Sequence, residues 1–190
     1  MRLVLATKDL TVAGRSFKGF PLLVGSDGWP VEPAQSFLWH ILVESGEALS
    51  VLTWEAYGRR LFDYFAFLEA NGLAWNEESQ ADGLSVLSRY RDWSSGELEL
   101  DPSTLNKRLN LIVRFYQWAK QRDLIAVLPF GERRVRATPH SGFLSHVARP
   151  NAASTKPSVM VRERKRLTKF LTKDQAKVCL AVGADGKLTH

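Results

Sequence analysis

The residues best suited to chemistry recur at spacings of three and four between positions 103 and 121, and they are amides, hydroxyls and bases. This spacing puts side chains on one flank of an α-helix, and no Asp or Glu occurs from Leu105 to Arg122. Asn and Gln can pair with adenine, Arg and Lys can pair with guanine or phosphate, and an α-helix fits the DNA major groove. An ordinary solvated face, the alternative, usually mixes Glu with Lys. We predict DNA contacts from Asn106, Lys107, Asn110, Arg114, Gln117 and Gln121, with Arg108 beside them, and phosphate contacts from Ser103 and Thr104 at the helix start.

Positive charge is concentrated in one segment, residues 129–170, which carries ten basic and two acidic residues. Residues 1–50, 51–128 and 171–190 carry net charges of only −1, −2 and +1. Concentrated positive charge attracts a polyanion through counterion release, and nucleic acid is the commonest such partner. A solvated linker remains the alternative.

Other reactive residue types form no recognisable site in the sequence. His146 and Arg149 lie in a proline-rich stretch without a nucleophile or carboxylate placed to work with them. The single cysteine, Cys179, excludes an internal disulfide and a cysteine-based zinc site, and the four scattered histidines form no metal cluster. We therefore expect no catalytic residue, metal or cofactor. No apolar run approaches the roughly 20 residues of a membrane span, which predicts a soluble, cytoplasmic protein.

The elements that position these residues begin with a strand-containing leader, residues 1–50. Residues 3–5 and 20–24 are apolar runs rich in strand formers, and residues 26–28 form a turn signal. A short helix is predicted over residues 34–43.

Residues 51–128 are predicted to form three helices that pack as a small bundle. The first begins with Thr53 as its cap and ends at residue 71, and the second spans about residues 82–93. The third begins with Asp101 as its cap and Pro102 at its first position, and it ends near Asp123. All four tyrosines fall on the apolar stripes that should form the core. These stripes are Trp54, Tyr57, Leu61, Tyr64, Phe65 and Leu68; Leu84, Leu87, Tyr90 and Trp93; and Leu105, Leu109, Ile112, Tyr116 and Ala119.

Helical periodicity ends at Pro129, and residues 129–170 have the composition of a linker, with a short strand predicted at residues 159–161. A helix beginning at Thr172 would make residues 171–190 the start of a further, truncated domain. The predicted fold class is therefore mainly α: a small helical bundle with a short β-containing N-terminal leader and a basic C-terminal linker.

Three blocks, in this order and spacing, resemble the N-terminal half of a tyrosine recombinase of the phage integrase family. Residues 53–73 are similar to the first helix of its core-binding (SAM-like) domain, residues 103–119 to the last long helix of that domain, and residues 167–181 to the first helix of the catalytic domain. The resemblance implies a fragment that grips duplex DNA during DNA integration and recombination, together with other recombinase subunits, in the service of a mobile element. The alternative is a protein–protein assembly module, which exposed aromatics such as Trp29 and Trp39 would favour.

The resemblance also implies a reaction that this chain cannot complete. Family members cleave DNA through a tyrosine that attacks a phosphodiester, and their first catalytic arginine follows the helix that begins here at Thr172. The sequence ends first, so we expect no cleavage by this chain and assign that reaction to a full-length recombinase. In the family, the linker between the two domains crosses the DNA backbone. This implies phosphate contacts from Arg133, Arg134, Arg136, Arg162, Arg164, Lys165 and Arg166.

Overall fold

The structure, a computed structural model, describes residues 1–46, 50–77, 83–135 and 154–163. Within these residues the fold is mainly α, as predicted, with a few short strands. The helices are α1 (Ala34–Trp39), continued by a π-helical turn (His40–Glu44), α2 (Val51–Ala70), α3 (Val86–Gly96) and α4 (Pro102–Gln121). The strands are β1 (Arg2–Leu5), β2 (Thr11–Val12), β3 (Arg15–Ser16), β4 (Pro21–Val24), β5 (Glu132–Val135) and β6 (Ser154–Pro157).

The leader contains the two predicted strands, β1 and β4, paired antiparallel with Leu3 opposite Leu23. The predicted turn follows β4, and Gly28 there adopts a φ of +85°, which glycine accommodates without steric cost. The small hairpin of β2 and β3 was not predicted, because two-residue strands are too short to show an alternating pattern.

The leader sheet packs directly on α2, because Gly58 lets the two backbones approach closely. A Cβ atom at Gly58 would lie 2.3 Å from Pro21 Cβ and 3.4 Å from Leu3 Cδ1. Phe20 adds an edge-on contact to Trp54, with ring centroids 6.0 Å apart. Leader and bundle therefore share one hydrophobic core.

Tyr64 and Tyr116 are buried in the bundle core, as the apolar stripes predicted, and their hydroxyls are hydrogen-bonded to each other. Tyr116 donates its hydroxyl hydrogen to the Trp75 carbonyl at 2.6 Å and accepts one from Tyr64. Burial raises the pKa of both hydroxyls well above their usual range. Tyr90 is also buried, whereas Tyr57 is half-buried at the edge of the core.

Two helix starts differ from the predictions, and one agrees. Helix α2 begins at Val51 after Ser50, so Thr53 lies inside the helix and is not its cap. Helix α3 begins after Ser85, whose side chain accepts a hydrogen bond from the Ser88 amide. Leu84 precedes that cap and is 45% exposed, so its predicted place in the core is wrong. Asp101 caps α4 as predicted, accepting a hydrogen bond from the Ser103 amide at 3.1 Å.

The basic segment contains more structure than a linker. Strands β5 and β6 pair antiparallel, with Arg133 opposite Lys156. The strand predicted at residues 159–161 lies earlier, at β6, and Val159 instead enters the bundle core, where it is 2% exposed. Residues 136–153 and 164–190 lie outside the described residues. They include Arg136, His146, Arg149, Arg164, Lys165, Arg166, Cys179 and the helix predicted from Thr172.

Candidate nucleic-acid interface

The predicted polar flank of α4 is exposed along most of its length. Because Leu109, Ile112 and Tyr116 turn the opposite side of the helix into the core, the flank is left facing outward. The side chains of Lys107, Asn110, Gln117 and Gln121 are exposed, and those of Ser103 and Arg114 are half-buried. The flank thus presents amide and basic groups from a helix that contains no carboxylate.

Asn106 differs from its neighbours because its side chain is hydrogen-bonded to other residues of the protein. Its amide nitrogen donates to the Val161 carbonyl at 2.9 Å and to Glu163 Oε1 at 2.6 Å. Its amide oxygen accepts from the Val161 amide at 2.9 Å. The residue is only 8% exposed. While these bonds persist, Asn106 cannot pair bidentately with a base, and its amide acts as the hydrogen-bonding partner of residue 161.

These bonds bring the basic segment against α4 and form an open groove, here called the linker groove. It has a volume of about 690 Å³. Its polar lining comes from Asn106 and Asn110 on α4 and from Arg133, Lys156, Arg162 and Glu163 of the basic segment. Residues of α4 and of the basic segment, which are far apart in the sequence, therefore line the same groove. Its acidic group, Glu163, is hydrogen-bonded to Asn106.

Strand geometry decides which bases of β5 and β6 line the linker groove. Neighbouring side chains on a strand point to opposite faces, so Arg133 lines the groove and the adjacent Arg134 does not. Lys156 stands opposite Arg133 and shares its face. Lys156 was missed in the sequence prediction, because the pairing register of β5 and β6 cannot be derived from local spacing.

Arg108 lies off the exposed flank and belongs to the contact between α2 and α4. Its guanidinium pairs with Asp63 on α2 at 3.0 Å. Burial raises the pKa of the Asp63 carboxyl, and the Arg108 and Arg59 guanidinium groups oppose that rise. Burial likewise raises the pKa of the Tyr90 hydroxyl, and Arg108 again opposes it. With Thr104 and Lys107, Arg108 faces a second groove on the other side of α4.

The two tryptophans that would favour an assembly role differ in exposure. Trp29 is 73% exposed at the turn after β4. Trp39 is half-buried, with its ring 5.1 Å from Phe17 and 5.6 Å from Phe20 between centroids. Only Trp29 of this pair therefore offers a largely open aromatic surface.

Among residues 1–46, 50–77, 83–135 and 154–163, no helix has the length and apolar character needed to cross a membrane. No cluster of three or more His, Cys, Asp or Glu side chains there could hold a metal ion.

Comparison with protein-family models matches residues 34–123 to the phage integrase, N-terminal SAM-like domain. The match begins with α1 and ends just past α4, so it covers the helices but neither the leader strands nor the basic segment. It also starts before residue 51, where the sequence predicted the bundle to begin. No curated protein and no solved structure gives a match. Residues 34–123 are therefore similar to the SAM-like domain of the phage integrase family, in agreement with the resemblance to its core-binding domain.

Proposed function

We propose that this chain grips duplex DNA as the DNA-binding part of a site-specific tyrosine recombinase, acting in DNA integration and recombination in the cytoplasm. The observation that carries the proposal is the convergence of the α4 flank and the basic segment on the linker groove, in a chain that matches a phage integrase domain. Breaking and rejoining DNA strands is assigned to the full recombinase through its tyrosine, and binding is assigned to this chain.

Each group has a distinct role in this proposal. Arg133, Lys156 and Arg162 contact phosphates, which positions the protein on the duplex without reading its sequence. Asn110 and Gln117 on α4 carry no charge, so their value to DNA binding lies in hydrogen bonds to base edges. Arg114, on the same flank, can pair with guanine or phosphate. The linker groove therefore supplies affinity, and the α4 flank supplies sequence preference.

The proposal is tested by gel shift with the terminal sequence of the mobile element that carries the gene and with a scrambled duplex. We expect tighter binding to the element sequence. Gln117→Ala should reduce that preference by about 1–3 kcal/mol, whereas Lys156→Ala should weaken binding to both duplexes equally.

Arg91→Ala serves as the control, because Arg91 is paired with Asp92 at 2.7 Å on α3 and lines neither groove. Equal binding by all variants, or retention of neither duplex, would refute the proposal.

A second candidate function is assembly with other recombinase subunits, supported by the exposure of Trp29 and by that of Leu52 at the start of α2. Molecular mass measured in solution, with and without duplex, separates the two functions. Self-association without DNA that Trp29→Ala abolishes would support assembly. A monomer that binds duplex would support DNA binding.

A further inference from the structure

We propose that the leader is itself part of the DNA-binding surface and that Arg2 on β1 contacts a DNA phosphate in the second groove, here called the leader groove. This inference rests on the proposed DNA-binding function and extends it beyond the match to the phage integrase domain, which begins at residue 34.

The leader groove lies between β1, α2 and the start of α4, with a volume of about 910 Å³. Leu3, Ala56 and Phe62 contribute its apolar lining. Five basic side chains and two acidic ones also line it: Arg2, Arg59, Arg60, Lys107 and Arg108, with Glu55 and Asp63.

Both acidic groups of the leader groove are already neutralised by neighbours. Glu55 accepts from Arg59 at 2.6 Å, and Asp63 pairs with Arg108 at 3.0 Å. Three cations remain, one from each wall: Arg2 on β1, Arg60 on α2 and Lys107 on α4. Within the described part of the chain, Arg2 and Lys107 have no ion-pair partner, and Arg60 lies 5.7 Å from the centroid of the Tyr57 ring. This excess positive charge favours an anionic ligand.

The position of Lys107 indicates that the anion is a DNA backbone. Lys107 lies at the edge of the α4 flank, within one and two helical turns of Asn110 and Arg114, and it also lines the leader groove. A duplex seated on the flank would therefore carry its phosphates past Lys107 toward Arg60 and Arg2. The exposed Thr104 hydroxyl lines the same groove and can donate to a phosphate.

The leader holds Arg2 in place before DNA arrives. Arg2 stands opposite Val24 in the strand pair, and the next residue, Leu3, packs at Gly58. Gln35 also accepts from the Leu23 amide at 3.0 Å and donates to the Pro21 carbonyl at 3.3 Å, which secures β4. A basic side chain on a fixed strand loses less conformational freedom on binding than one on a loose tail.

The experiment measures duplex affinity against salt for the whole chain and for Arg2→Ala. Each phosphate contact contributes about −0.9 to the slope of log affinity against log salt. We expect Arg2→Ala to make the slope shallower by about one, and Arg2→Lys to restore it because it keeps the charge.

Arg15→Ala is the matched control, since Arg15 is a leader arginine that lies 5.3 Å from the centroid of the Phe17 ring and outside the groove. Its slope should equal that of the wild type. Thermal unfolding of each variant checks that the exposed substitution leaves the fold intact.

The outcomes separate this inference from the function on which it rests. If Arg2→Ala keeps the wild-type slope while Arg162→Ala does not, the leader contact is wrong and DNA binding stands. If the wild-type chain shows no salt-dependent binding, the proposed function itself fails. If Arg2→Ala changes self-association without DNA and leaves the slope unchanged, the groove binds protein carboxylates and the inference is overturned.

Discussion

Replacement of Asn106 by Ala should weaken DNA binding by detaching the chain around Val161 from α4. The substitution removes three hydrogen bonds, of 2.9, 2.9 and 2.6 Å, and leaves both backbone groups of Val161 without their side-chain partner. A neutral hydrogen bond contributes about 0.5–1.5 kcal/mol. The hydrogen bond to the Glu163 carboxylate should contribute a free energy near the low end of this range, because that carboxylate is exposed to water, which competes for the bond. We expect a loss of about 2 kcal/mol in the docking of this segment, which multiplies its undocked population by about 30.

Hydrogen exchange at the Val161 amide reports this docking directly. We expect its exchange to accelerate by about the same factor of 30, while the amides in the centre of α4 keep their wild-type rates. Asn106→Asp is a second variant, since a carboxylate can still accept from the Val161 amide but cannot donate to its carbonyl. It also places negative charge beside Glu163, so its effect should be at least as large.

A double-mutant cycle tests whether the docking of the segment around Val161 on α4 contributes to DNA affinity. In the Asn106→Ala background Arg162 is no longer held in the linker groove, so adding Arg162→Ala should cost less affinity than it does in the wild type. The reasoning would be refuted by two results together. Asn106→Ala would lower DNA affinity without accelerating exchange at the Val161 amide, and the affinity losses of Asn106→Ala and Arg162→Ala would be additive. Asn106 would then contact a base itself.

Three further predictions concern stability. Gly58→Ala should destabilise the chain by about 1–3 kcal/mol in urea denaturation, because the new methyl would overlap Pro21. The control, Gly96→Ala, has open space around the new methyl and should be neutral or stabilising. An equal loss of stability in both variants would refute the close packing of the leader on α2. Asp101→Ala should cost about 1 kcal/mol by removing the α4 cap, and an unchanged denaturation midpoint would contradict that assignment. Burial raises the pKa of Tyr64 and Tyr116, so the folded chain holds those protons more tightly than the unfolded chain, whose tyrosines titrate near pH 10. The free energy of unfolding should therefore fall as pH rises above about 10, and a value that is constant there would contradict the buried pair.

The sequence predicted those features of the structure that depend on residues close together along the chain. Asp101 and Pro102 identify the start of α4, and apolar spacing identifies its buried side, so the exposed flank could be derived without a structure. The caps of α2 and α3 are Ser50 and Ser85, whereas the sequence predicted a cap at Thr53 for α2 and a start at about residue 82 for α3, so both predicted starts are wrong.

The grooves could not be derived, because they depend on contacts between distant residues. Asn106 and Val161 are 55 positions apart, so nothing near Asn106 shows that its amide is already engaged. Arg2 and Arg60 meet only because the leader sheet lies on α2. Gly58 carried a usable signal for that packing, since a glycine inside a helix costs about 1 kcal/mol relative to alanine and calls for a compensating contact.

The central claim is that the linker groove, where the α4 flank meets the basic segment, binds the backbone of duplex DNA. It is tested most directly by the salt dependence of wild-type affinity beside that of a Lys156→Ala, Arg162→Ala double variant. With Arg133, Lys156 and Arg162 each contacting a phosphate, we predict a wild-type slope of about −3 or steeper. The double variant should be shallower by about two, and Arg91→Ala should match the wild type. A wild-type slope near zero, or one shared by all three proteins, would contradict the claim.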